Sequence, residues 1–191
     1  GPAQPAGDAP MHDEAAGAWA TPFIMASINT KNVHRTNFLL GKAFGADFVY
    51  DEMQLTGDGA AGEKRAKSAA NAGKMQTTLL GFAPTRAFLR QFALPKPGQG
   101  PSKEKRETGF YDVLFVGETK DGRRLRAGVK GDKDPGYGST SKMIGESALC
   151  LARDVGRGET AGGVWTPGAA LGEKLIARLE ANAGMKFALE N

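Results

Sequence analysis

The sequence predicts an α+β fold: a mixed or mostly antiparallel sheet, helices packed on one face, and the other face available for dimerisation. Three observations carry this. Residues 111–118 and 123–130 are apolar runs joined across Asp121-Gly122, the signature of a hairpin. Met185, Phe187 and Leu189 alternate as a closing strand. The remaining periodic segments are capped helical stripes, with no strand-helix-strand series of the kind that builds a parallel dinucleotide-binding sheet, so no Rossmann domain is expected in this chain.

At 191 residues the chain can bury one substantial core or two small ones. Its net charge of +4 comes mainly from residues 64–74 and 96–133, a bias too modest to make nucleic acid an expected partner. Cys150 is the single cysteine, which excludes an internal disulfide and points to a reducing, cytoplasmic setting. The two histidines, His12 and His34, have no ligand partner at metal-binding spacing, so no metal site is expected. Neither a cleavable signal nor an apolar run of bilayer-spanning length is legible.

Residues 1–18 are Gly-, Pro- and Ala-rich without a period and read as a flexible linker, the opening Gly-Pro suiting a tag remnant; a single domain is expected over 19–191. Thr21-Pro22 reads as a cap and first-turn proline for a helix running to Gly41. On that helix Asn29, Thr30, His34 and Asn37 crowd one side. Either they hydrogen-bond to neighbouring loops, or they line a polar pocket with Arg35 as anion partner. A strand with one wet face is expected over 47–57, followed by a break at Gly57, Gly59 and Gly62. A helix follows over 63–82, which Gly73 argues against being continuous. Pro84 restarts a helix whose stripe is Phe88, Leu89 and Phe92, flanked by Arg86 and Arg90. Such a helix packs on its own domain or rests on a membrane surface.

The prolines of residues 94–102 make a loop. A two-residue turn in the hairpin would place Val116 opposite Ala127 and Leu114 opposite Val129. The chain then enters a glycine-rich elbow, DPGYGST, where Ser139, Thr140 or Ser141 is expected to cap a helix with Met143, Ile144, Ala148 and Leu151 on the core. The elbow is either a capped helix start or a cradle whose free N–H groups, beside Lys142, face an anionic or carbonyl-bearing ligand. Gly156, Gly158 and Ala161 loosely fit a dinucleotide fingerprint, which is rejected because a helix rather than a strand precedes it. Thr166-Pro167 caps the last helix, with Leu171, Leu175, Ile176 and Leu179 as its stripe and Gly184 at its end.

Three stretches, INTKNVHRTNFLLG, DPGYGSTSKMIGESALCLA and GGVWTPGAALGEKLIARL, with the loop LPKPGQGPS, together resemble the saccharopine dehydrogenase-like oxidoreductases, and within them the trans-acting enoyl reductase branch. The resemblance runs over residues 19–189. It implies an NAD- or NADP-dependent oxidoreductase made of an N-terminal Rossmann domain and a C-terminal substrate-binding and dimerisation domain, with only the second matched here. Its implied partners are a homodimer mate, the Rossmann domain and an acyl-type substrate. The cofactor would bind outside this chain. On that reading Tyr137 and Lys142 are the catalytic candidates, and Asn29, Thr30, Arg35, Asn37, Ser139 and Thr140 the substrate-binding ones. The alternative is a non-catalytic interaction or membrane-docking module of the same fold.

Overall fold

The computed structural model describes residues 1–96 and 98–190, so Pro97 of the predicted proline loop lies outside the described residues. The chain divides into two compact units, Gly1–Gly100 and Pro101–Asn191, where the sequence suggested one domain. Each carries a three-stranded sheet, and every strand pairing is antiparallel. The α+β expectation holds, and no parallel Rossmann-like sheet stands among the described residues.

The first unit contains β1 (Met11–Asp13), β2 (Ala18–Pro22), α1 (Ala26–Leu39), β3 (Met53–Gly57), α2 (Gly59–Gly81) and α3 (Ala83–Phe92). Order begins earlier than expected. β1 pairs with β2 inside the segment read as linker. Upstream, Gln4 donates to the Phe48 carbonyl at 3.2 Å and accepts from the Tyr50 N–H at 3.0 Å. Thr21 and Pro22 finish β2 instead of starting a helix, because Thr21 is needed in the sheet: its hydroxyl donates to the Ala66 carbonyl of α2 at 3.2 Å. The helix starts at Ala26 and ends as expected before Gly41, which takes φ 65 while Lys42 N–H reaches back to the Asn37 carbonyl at 2.7 Å. Of the strand expected over 47–57 only Met53–Gly57 forms. α2 runs unbroken through Gly73 and begins before Gly62, whose missing side chain lets the helix lie against the Gly57 carbonyl.

The second unit contains α4 (Lys103–Thr108), β4 (Tyr111–Glu118), β5 (Arg124–Gly131), α5 (Gly138–Arg153), α6 (Pro167–Asn182) and β6 (Met185–Glu190). The short α4, capped by Ser102, is absent from the sequence reading. The hairpin forms one residue out of the expected register, with Val113 opposite Val129, Phe115 opposite Ala127 and Val116 opposite Arg126. The reason is local. A two-residue turn would need positive φ at both Asp121 and Gly122, and only Gly122 has it (φ 82); Thr119 N–H pairs with the Arg123 carbonyl at 2.9 Å, leaving a three-residue loop. The slip collects Tyr111, Val113, Phe115, Ala127 and Val129 on one face, which β6 extends with Met185 and Phe187. The core lies there: Cys150, Leu171, Leu175, Leu179, Ala183 and Met185 are buried together. α6 has its expected cap, Thr166 accepting from the Ala169 N–H, and buries Leu171, Leu175 and Leu179 of the expected stripe, while Ile176, one residue round from Leu175, is 40% exposed. α5 is rotated from expectation: Met143 and Cys150 face the core while Ile144 and Leu151 are 70% and 59% exposed.

Candidate functional site

The elbow between β5 and α5 forms because Pro135 and two glycines let the chain double back on Asp134. Asp134 is the residue that the sequence reading missed. Its carboxylate accepts from the backbone N–H of Gly136 at 2.9 Å, of Gly138 at 2.6 Å and of Tyr137, and so fills the start of α5 with an anion from its own chain. Those N–H bonds, that of Gly138 foremost, hold the Asp134 carboxyl below the ordinary aspartate range, with the nearby Arg106 adding to the effect. The expected side-chain caps are engaged otherwise. Ser139 is fully buried against the Tyr111 hydroxyl at 2.9 Å, Thr140 bonds to the Pro135 carbonyl, and Ser141 bonds back to the Gly138 carbonyl. An aspartate three or four residues ahead of a helix's glycine-rich start was the signal available.

Lys142 is tied in two directions, to Asp132 at 3.2 Å and to the Ala183 carbonyl at the end of α6, also at 3.2 Å. This crosslink closes the elbow onto the α6–β6 turn, where Asp132 lies directly against Gly184. Tyr137 is different: it is 56% exposed, no side-chain hydrogen bond from its hydroxyl stands among the described residues, and it projects from the mouth of the elbow. The corner is therefore open to solvent. Its available chemistry is an exposed phenol donor and, on the same elbow, a lysine-aspartate pair.

The polar residues of α1 belong to the other unit and are described by themselves. Asn37 is buried and staples the following loop, donating to the Gly45 carbonyl and accepting from the Phe44 N–H at 2.9 and 2.8 Å. Thr30 bonds back to the Ala26 carbonyl within its own helix. Arg35 lies over the Phe38 ring, 5.5 Å from its centroid. Asn29 takes part in a cluster that sequence reasoning overlooked: the Glu52 carboxylate accepts from the Asn29 amide and the Tyr50 hydroxyl, both at 2.9 Å. Burial first, and then the bond to Glu52, push the Tyr50 phenol well above its usual value, so it stays protonated at any ordinary pH.

In the loop after α5 the Gly156 N–H donates to Glu159, whose carboxylate also pairs with Lys174. Asp154 and Glu146 are likewise committed, both to Arg178 at 2.9 and 2.8 Å. No group of acids, histidines or cysteine able to hold a metal ion stands among the described residues. No helix among them is long and apolar enough to cross a membrane.

Comparison with known proteins gives a consistent likeness. The chain is 38% identical over 170 residues, 87% of its length, to the trans-acting enoyl reductase of Mycobacterium ulcerans strain Agy99, covering 40% of that protein. It has the same identity, over the same shares of each chain, to the trans-acting enoyl reductase of Mycobacterium tuberculosis strain H37Rv. A second protein of that strain, provisionally named for the same activity, is 37% identical over 172 residues, 88% of this chain and 41% of its own length. The chain thus spans about two fifths of the curated relatives it matches. No family model matches it, and no solved structure does.

Proposed function

We propose that this chain is the substrate-binding and dimerisation half of an enoyl-reducing, NAD(P)H-dependent oxidoreductase related to the saccharopine dehydrogenase-like enzymes. The observation that carries the proposal is the identity of 37–38% to proteins named as trans-acting enoyl reductases, sustained over 87–88% of the chain. The share of those relatives it covers leaves ample length for a nicotinamide-binding portion, and the proposal assigns the carrier to that portion. No hydride step is therefore assigned to these residues.

What they can do is hold the acceptor. Reduction of an enoyl group develops negative charge on the carbonyl oxygen conjugated to it, and a phenol positioned there stabilises that charge and can pass a proton. Tyr137 is the proposed group. Lys142, anchored through Asp132, fixes the elbow from which Tyr137 projects.

Titration with a short enoyl thioester, followed by NMR of the elbow amides, tests this. Saturable binding with shifts centred on residues 134–142 is expected, weakened about tenfold by Tyr137→Phe through loss of one hydrogen bond. Absence of binding, or shifts confined to other residues, would overturn it. Tight NADPH binding by the chain alone would reassign the carrier to this half.

A further inference from the structure

Within the first unit, the C-terminal half of α2 and the whole of α3 have no buried residue. Met75, Leu79, Phe82, Phe88 and Phe92 are all exposed, Phe88 at 61% and Phe92 at 73%, with their rings 4.9 Å apart. α3 is one-sided. Phe88 and Phe92, one turn apart, share a face with Leu89 at its margin, while Arg86 and Arg90 lie on the opposite side. The charge around this face is of one sign. Residues 64–100 hold seven lysines and arginines and no aspartate or glutamate, and Lys74, Arg90 and Lys96 form no ion pair among the described residues. Aromatic side chains below and cations above are the arrangement of a helix lying in the plane of a bilayer interface, and an acid-free surface is complementary to anionic head groups.

We infer that α3, with the adjoining end of α2, docks on an anionic lipid surface, inserting Phe88 and Phe92 to the depth of the acyl boundary while Arg86 and Arg90 stay at head-group level. This is peripheral attachment, since neither helix is apolar enough to span. It stands independently of the reductase proposal.

The test is flotation of the full chain with two sets of vesicles, phosphatidylcholine alone and phosphatidylcholine with about one third phosphatidylglycerol. Binding is expected to the anionic vesicles only and to weaken as salt rises. The pair Phe88→Ser/Phe92→Ser is expected to cut it about tenfold or more, and Arg86→Glu/Arg90→Glu by a similar factor. As an independent reading, Phe92→Trp should be quenched by brominated lipid beyond the background of Trp19 and Trp165. No flotation, or flotation that the phenylalanine pair leaves unchanged, overturns the inference. Self-association in sedimentation that the same pair abolishes, without vesicle binding, would assign the face to a second copy instead and also overturn it.

Discussion

The two units are both small sheets with helices against them, yet their interiors are closed by different chemistry. The unit Pro101–Asn191 buries leucines: Leu171, Leu175 and Leu179 from α6 meet Cys150 and Met185. In the unit Gly1–Gly100 no buried apolar residue among those described is larger than alanine; Ala20, Ala66 and Ala70 are buried, as are the polar Thr21 and Asn37, and the backbones approach where Gly62 meets Gly57. Large side chains are plentiful there, but Ile24, Phe38, Met75 and Phe82 are exposed. Buried aliphatic area drives folding in one unit, while the other depends on close backbone approach and hydrogen-bonded staples.

That contrast can be probed position by position. Leu175→Ala should cost about 2–5 kcal/mol, read as a lower urea midpoint for the second unit, because it removes a core side chain and leaves a cavity. In the first unit Gly62→Ala should cost about 1–3 kcal/mol, since its Cβ would stand 2.0 Å from the Gly57 carbonyl oxygen. Gly73→Ala in the same helix meets nothing and should stabilise by up to about 1 kcal/mol, so equal responses at the two glycines would refute the close-approach account. Asn37→Ala should cost about 1 kcal/mol by chemical denaturation, its freed loop partners being within reach of water.

Two smaller effects concern titration in the second unit. Burial, then the nearby Asp154, push the Cys150 thiol up, so it should resist thiol reagents at neutral pH until the unit is unfolded; rapid labelling of the native chain would contradict the buried placement. Asp134 has a lowered folded-state pKa, so its contribution is present above the ordinary aspartate value of about 4 and is lost as pH falls through the lower folded one. Asp134→Asn should therefore flatten the acid limb of a stability-pH curve. An unchanged limb would show that its three N–H bonds do not discriminate charge.

Much of the second unit was legible because its signals are local. Thr166-Pro167, the stripe Leu171, Leu175, Ile176 and Leu179 and the alternation of Met185, Phe187 and Leu189 each act within a few residues; cap, helix and strand form as read, with Ile176 and Leu189 left exposed. The hairpin was legible as a hairpin but not in register, since Asp121-Gly122 fits either loop length and the choice turns on whether Asp121 takes positive φ, which it does not. In the first unit local signals misled. Thr21-Pro22 is a sound helix start in isolation, yet the Ala66 carbonyl of a distant helix claims the Thr21 hydroxyl for the sheet.

The site divides along the same line. The run DPGYGST announces an elbow and the start of α5, because proline and glycine restrict or free the backbone wherever they stand. Which groups there are spent and which are left over is settled by partners far along the chain. Ser139 is taken by Tyr111 and Lys142 by Asp132 and Ala183, which leaves Tyr137 facing solvent. Dihedral preference is a property of neighbours in sequence, and hydrogen-bond satisfaction is a property of neighbours in space.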